Sequence, residues 1–292
     1  MTKKEIEERK FRPAKQEVKD AAKNLHTPQT TSAAYTLAFQ DRDFLLRDDL
    51  RPVRFQLELL KPELLMNEAK IESTFVFYGS ARIPEPEKAQ ARIEAAASEE
   101  ERRIAERLAA KSKYYDEARR LANIAARYPA GEDGKQNFVV CSGGGPSIME
   151  AANRGAADMD APSIGMNIVL PHEQAPNIYV TPELSFQFHY FALRKMHFLL
   201  RARALAVFPG GFGTFDEFFE LLTLVQTGKM KPIPILLFGK EFWSKVVDFE
   251  ALADEGVIAH RDLELFTWVE TAEDAWSTVC RFYKDDNLMG CD

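Results

Sequence analysis

The sequence predicts an α/β protein with a Rossmann-like, doubly wound parallel sheet and an N-terminal helical extension. After residue 70, short apolar segments alternate with longer helical segments, the pattern of right-handed βαβ units. Three of the apolar segments end in glycine-bearing turns: Gly79-Ser80, Gly143-Gly144-Gly145 and Gly210-Gly211-Phe212-Gly213. Because ligands of such sheets bind at the carboxyl ends of the strands, we expect the site at these turns.

Composition narrows the class of protein. The chain has 292 residues, 46% of them hydrophobic, which is enough for one α/β domain with an extension. A net charge of −7 argues against a general nucleic-acid surface. The three cysteines have no metal-ligand spacing, and we expect no metal. We find neither a secretory signal nor a membrane span, and we expect a cytoplasmic protein.

Residues 1–70 form the predicted N-terminal helical extension. Helical patterns cover the charged first stretch to about residue 24, then residues 34–47 and 53–69, with no strand signal. No residue in this part indicates a chemical role. We therefore expect a Rossmann-like domain over residues 71–292, and we expect any nucleotide-binding or catalytic site to lie there.

The elements of that domain follow in order. Thr74 to Tyr78 is an apolar, β-prone run typical of a buried parallel strand. Residues 84–128 predict one long helix with a solvated middle near residues 98–103. Further strands are predicted at residues 138–141, 163–170, 184–188, 204–208, 232–238 and 265–269, and further helices at 147–153, 190–203, 214–226, 242–255 and 272–283.

The turn that begins at Pro209 is the best candidate for a phosphate site. A strand runs into three glycines and then a helix, whose first N–H groups and dipole favour an anion. The alternative is a tight turn that needs glycine only for its geometry. Neither GxxxxGK[ST] nor GxGxxG is present, which argues against a P-loop NTPase and weakens a dinucleotide interpretation.

Glu217 has two interpretations. Thr214 and Glu217 have the spacing of a capping box, with Thr214 as N-cap. A carboxylate beside a phosphate turn is also close enough to act on a bound sugar. Glu220 lies one turn further on the same face as a possible second carboxylate, whereas Asp216 points away from Glu217.

Two cations precede this turn. Arg194 and Lys195 stand among aromatic residues at 188–191. An arginine suits a phosphate or a carboxylate because its planar fork donates two hydrogen bonds. An ordinary solvated helix face is the alternative, and the aromatic residues could stack on a base or belong to the core.

Together these residues resemble the LOG (Lonely Guy) family of phosphoribohydrolases, which is often mislabelled lysine decarboxylase. The PGGxGTxxE motif of that family corresponds to residues 209–217, and its Arg-Lys signature corresponds to Arg194-Lys195. The glycine run at residues 143–145 and the stretch at 149–155 also match. The resemblance covers residues 72 to 290, and residues 1–70 are similar to the longer bacterial branch.

The resemblance implies hydrolysis of the N-glycosidic bond of a nucleoside 5′-monophosphate, AMP or a cytokinin type, to free base and ribose 5-phosphate. It implies Arg194 and Glu217 as the catalytic pair, with no cofactor and a homodimer. Decarboxylation is rejected, because no lysine stands in a recognisable Schiff-base motif. The implied substrate-binding residues are Gly79, Ser80, Arg82, Gly143, Gly144, Gly145, Lys195, Gly210, Gly211, Gly213 and Thr214.

Other functions stay open at this point. A non-catalytic nucleotide sensor of the same fold is the main alternative, although the presence of both Arg194 and Glu217 favours an enzyme. A phosphoryl-transfer enzyme would need the P-loop lysine and hydroxyl, which the sequence lacks. The sequence leaves the preferred base undecided. It also does not decide whether Arg194 binds Glu217 or the phosphate.

Overall fold

A computed structural model describes residues 12–171 and 175–284. Its centre is one seven-stranded sheet in the order β4-β3-β2-β1-β5-β6-β7, with every neighbouring pair parallel. The strands are β1 Thr74–Tyr78, β2 Val139–Ser142, β3 Ser163–Ile168, β4 Ser185–Phe188, β5 Ala202–Val207, β6 Ile235–Phe238 and β7 Thr267–Val269. The predicted fold class is confirmed.

Strand β1 lies at the middle of the sheet and is buried throughout. Its neighbours are β2 and β5, so the strand order reverses beside β1 and leaves a crevice at the carboxyl edge. Phe75 and Phe77 contribute to the core on one face, and Val76 and Tyr78 contribute to the core on the other. This alternation follows from the two-residue period of a strand.

Helices cover both faces of the sheet, as the two core clusters show. Within the described ranges, none is long and apolar enough to cross a membrane. The helices are α1 Ala14–Ala21, α2 Arg42–Leu45, α3 Arg51–Glu68, α4 Pro86–Glu94, α5 Glu99–Ala109, α6 Lys113–Ala126, α7 Ile148–Ala157, α8 Phe191–Leu200, α9 Phe212–Gln226, α10 Lys240–Val246, α11 Phe249–Asp254 and α12 Ala272–Tyr283.

Two segments that were each predicted as one helix are divided into shorter helices in the structure. The segment 84–128 contains three helices, and Ser98 starts the second of them, α5, by accepting the N–H of Glu101 at 3.1 Å. The segment 242–255 is divided in the same way by Asp248, whose side chain accepts the N–H of Ala251 at 3.0 Å. Both residues are good N-caps, which side-chain periodicity alone does not reveal.

From residue 12 onward the N-terminal extension contains helices, as predicted, with one difference; the helical pattern predicted for residues 1–11 lies outside the described residues. Residues 34–47 do not form one helix; the short 3₁₀ helix Ala33–Tyr35 is separated from α2 by a turn. The Ser32 side chain caps the start of the 3₁₀ helix, and the Asp41 side chain caps the start of α2. The chain divides into two compact units, residues 1–57 and 58–292, and the boundary predicted at residue 70 stays a prediction.

Candidate active site

The predicted glycine turns meet at the carboxyl edge of the sheet. The N–H of Ser80, after β1, donates to the carbonyl of Pro209, after β5, at 3.1 Å. The carbonyl of Ser80 accepts the N–H of Ile148, the first residue of α7, at 3.4 Å. Gly79 lies so close to this helix that a Cβ would stand 2.5 Å from Ile148 Cγ2. The turns therefore form one connected rim.

Asparagine side chains hold the turn that follows β2. Gly144 has a φ of +71°, and a Cβ there would lie 2.4 Å from Asn167 Oδ1. Asn177 Nδ2 donates to the carbonyls of Gly144 and Gly145, each at 3.1 Å. A left-handed backbone so close to another side chain requires glycine.

Asn153 anchors this turn from below and is fully buried. Its Oδ1 accepts from Ser142 Oγ at 2.7 Å and from Asn177 Nδ2 at 2.9 Å, and its Nδ2 donates to Ser163 Oγ at 3.0 Å. The sequence analysis missed Asn153, Asn167 and Asn177. Asn153 and Asn167 carried a signal as amides within largely apolar elements, but their partners are distant in sequence.

Arg194, in the first turn of α8, is held by three elements. Its Nε donates to the carbonyl of Met166 at 2.7 Å, and its Nη1 donates to Glu217 Oε1 at 3.1 Å. Its guanidinium carbon lies 5.0 Å from the ring centroid of Phe198. A Cβ at Gly143 would stand 2.5 Å from Nη2, so the turn after β2 lies too close to the guanidinium for any residue but glycine. The two predicted catalytic residues are thus brought together.

Glu217 lies in the second turn of α9, with its side chain only 12% exposed. Burial raises its pKa to about 7, and the nearby charge of Arg194 acts in the opposite direction. Asp216 and Glu220 raise this pKa further, whereas Lys195 lowers it. A carboxyl group that titrates near neutral pH is suited to acid–base and electrostatic roles.

Lys195 contacts α9 on the other side of this pair. Its Nζ lies 3.0 Å from Asp216 Oδ1 and 2.8 Å from Glu220 Oε2. Adjacent cations of α8 therefore pair with different carboxylates of α9. Direct contact between Lys195 and a substrate stays a prediction.

The predicted capping box is wrong. Helix α9 begins at Phe212 with Gly211 as N-cap, so Thr214 already lies within the helix and Glu217 lies beyond the capping position. The Thr214 side chain is instead buried beneath Gly210, where a Cβ would meet its Oγ1 at 2.1 Å. Within residues 12–171 and 175–284, no side chain caps this helix start, and nothing lies within 4 Å of a Cβ at Gly211 or Gly213.

Gly210→Ala is expected to destabilise the fold by about 1–3 kcal/mol, the usual cost of overpacking. The added methyl group would have to displace the buried Thr214 side chain. Gly213→Ala is the matched control, because its Cβ enters open space in a helix. Thermal unfolding of both variants checks this, and equal melting temperatures would contradict the close contact at Gly210.

Arg82 lies apart from α8 and α9. It lines a cavity of about 410 Å³ with Lys88, Arg92, Tyr115 and Glu150. Its backbone N–H donates to Ser80 Oγ at 3.0 Å, which orders the turn after β1. Contact of the Arg82 side chain with a nucleotide stays a prediction. Among the residues that the structure describes, no cluster of three or more His, Cys, Asp or Glu side chains could hold a metal ion.

Parts of this chain are similar to known proteins. The sequence model of a family described as "Possible lysine decarboxylase" matches residues 149–279. Pyrimidine/purine nucleotide 5′-monophosphate nucleosidases of Escherichia coli K12 and O157:H7 are 27% identical over 150 residues, which cover 46% of this chain. The chain spans only 31% of the length of these relatives. The X-ray structure of TM1055, a structural genomics target, has 18% identity and a TM-score of 0.45, covering 73% of this chain and 99% of that one.

The fold and the site define a Rossmann-like α/β protein with an open glycine turn beside a buried arginine–glutamate pair. The matched residues include Arg194, the glycine turn and Glu217. Within residues 149–279 the chain is similar to the family described as possible lysine decarboxylase, and its motifs resemble those of the LOG family.

Proposed function

We propose that this protein hydrolyses the N-glycosidic bond of nucleoside 5′-monophosphates to free base and ribose 5-phosphate. The observation that carries the proposal is the buried pair Arg194–Glu217 beside the uncapped start of α9. The nucleosidase name of the curated relatives supports the same class of reaction.

The 5′-phosphate would bind at the turn from Gly210 to Thr214. The first N–H groups of α9 and its dipole attract an anion there. Gly211 and Gly213 leave open space where side chains would otherwise stand. Gly213→Ala therefore serves a second purpose, since its methyl group would occupy the space we assign to the phosphate.

The carboxylate of Glu217 would stabilise the positive charge that develops on the ribose, as carboxylates do in O-glycoside cleavage. The bond between C1′ and the base nitrogen breaks, and its electron pair leaves with the base. Water adds to C1′, polarised by Glu217, and one of its protons ends on the base. Arg194 orients Glu217, because its Nε and Nη1 are already engaged by Met166 and Glu217.

Chromatography of the purified protein after incubation with AMP, GMP, CMP, UMP and isopentenyl-AMP tests the proposal. Free base and ribose 5-phosphate in equal amounts are expected from at least one of them, with AMP or the cytokinin type our first choices. Nucleotide binding without release of base would instead favour the non-catalytic sensor. No cofactor, nucleic acid or membrane is part of the proposal, and a cytoplasmic location remains part of it.

We also propose a homodimer. Phe212 is 95% exposed at the rim of the site and Phe191 is 53% exposed at the start of α8. Large apolar side chains on a rim are typical of surfaces that a partner covers. Light scattering during gel filtration is expected to give about twice the 33.1 kDa of one chain, and the mass of a single chain would contradict the dimer.

A further inference from the structure

The second half of α3, beginning at Glu58, holds the start of the helix that carries Arg194. Oε1 of Glu58 accepts the N–H of His189 at 2.9 Å, and Oε2 accepts the N–H of Tyr190 at 3.2 Å. These residues directly precede α8, whose own N-cap residue makes no side-chain cap. A carboxylate at this place satisfies exposed donors and complements the positive end of the helix dipole.

The same stretch of α3 contacts the middle of α8. His197 has a fully buried side chain, and its Nε2 lies 3.1 Å from the backbone carbonyl of Glu58. A carbonyl can only accept, so Nε2 carries the proton and donates. Burial lowers the pKa of His197, which favours this neutral form. The contact joins the two helices one turn beyond Arg194.

Arg201 fixes the other end of α8. Its Nη2 and Nε donate to the carboxylate of Glu63 at 2.8 and 3.2 Å, and Nη2 also donates to Asn67 Oδ1 at 2.8 Å. A bidentate contact of this kind fixes direction as well as distance. The Arg201 side chain is only 13% exposed, so this pair is better shielded than an ordinary surface pair.

We infer that Glu58 is a positioning residue for the Arg194–Glu217 pair and that residues 58–68 work as part of the catalytic domain. The two members of the pair stand on different helices, α8 and α9, and meet across 3.1 Å. Their alignment therefore depends on how α8 is placed, and Glu58 contacts α8 just before its first turn. The inference rests on the proposed function and adds a role for a residue within the N-terminal extension.

Glu58→Ala is expected to lower kcat on the order of tenfold or more, because small misplacements of catalytic groups are costly. KM should change little, since Glu58 touches none of the residues assigned to the phosphate. Glu58→Gln keeps an acceptor oxygen for one of the two N–H groups, and its kcat should fall between those of Glu58→Ala and wild type. Glu68→Ala is the matched control, a carboxylate of the same helix with an exposed side chain, and should behave as wild type.

The pH profile separates positioning from a general loss of structure. Arg194 lowers the pKa of Glu217, against burial and the charges of Asp216 and Glu220, and Lys195 acts with Arg194. If Glu58→Ala loosens Arg194, the acidic limb of kcat should move to higher pH. A variant that is merely less stable would lose active protein without moving that limb.

Hydrogen exchange of the full-length protein gives a readout that does not need activity. Peptides covering residues 189–200 should exchange faster in Glu58→Ala than in Glu68→Ala. If wild type releases no base, the proposed function fails while this measurement still tests the positioning role. Unchanged exchange in these peptides, or unchanged kcat and pH profile in an active protein, would overturn the inference.

Discussion

Glu217→Gln is expected to lower kcat by about 10²–10⁴-fold, the range in which a positioned acid–base group contributes. Glutamine has almost the same shape and keeps an oxygen that can accept the Arg194 N–H now directed at Oε1. It cannot carry the negative charge that we assign to stabilisation of the ribose cation. The loss should therefore appear in kcat rather than in the binding of the phosphate.

The stability of this variant has a pH dependence with a defined sign. Burial raises the pKa of Glu217 to about 7 in the folded protein, above the ordinary value of 4.5. Its contribution to stability is therefore fully present below about pH 4.5 and is lost as the pH rises through about 7. Glutamine does not titrate, so its melting temperature relative to wild type should rise from pH 5 to pH 8.

At neutral pH, a second effect of Glu217→Gln opposes this gain in melting temperature and keeps the difference from wild type small. Removing the carboxylate leaves the buried Arg194 without its charged partner, which is unfavourable. The gain from not burying a charge offsets this, so we expect melting temperatures within a few degrees at pH 7. Asp216→Asn is the adjacent control, with a half-exposed side chain directed at Lys195, and should retain most activity. Retained activity in Glu217→Gln would rule out its catalytic role.

The sequence was sufficient to predict the central strands because β1 and β2 are buried along their whole length. A strand buried along its whole length is mostly apolar, and Phe75 to Tyr78 shows this without reference to any distant residue. The limits of β6 were harder. The strand was predicted to start at Pro232, but it begins at Ile235. Pro232 and Pro234 lie before it, and proline lacks the N–H that a strand needs.

The sequence named candidate site residues, but it did not reveal the contacts between them. Arg194 and Glu217 could be named from a motif, whereas the 3.1 Å bond between them depends on the packing of α8 against α9. The capping-box pattern at Thr214 misled because two residues before it already adopt helical backbone. Asn153 and Glu58 were missed since each acts on groups that only tertiary structure brings close.

Adenosine is expected to be a far poorer substrate than AMP. If the phosphate accepts two hydrogen bonds from the turn, at roughly 1.5–3 kcal/mol each, its removal amounts to about a 10²–10⁴-fold loss in kcat/KM. Part of the loss should fall on kcat, because binding energy at the remote phosphate holds the scissile bond against Glu217. Initial rates of base release from the two substrates provide the measurement.

Gly213→Ala shows whether that loss arises at the start of α9. Its methyl group enters the open space beside the helix N–H groups, so kcat/KM for AMP should fall towards the value for adenosine. The rate with adenosine should stay the same, since adenosine places nothing there. If Gly213→Ala lowered kcat/KM equally for both substrates, the phosphate would have to bind somewhere other than this turn. Comparable rates for AMP and adenosine in wild type would contradict the anchoring role altogether, because the ribose and base alone would then account for recognition.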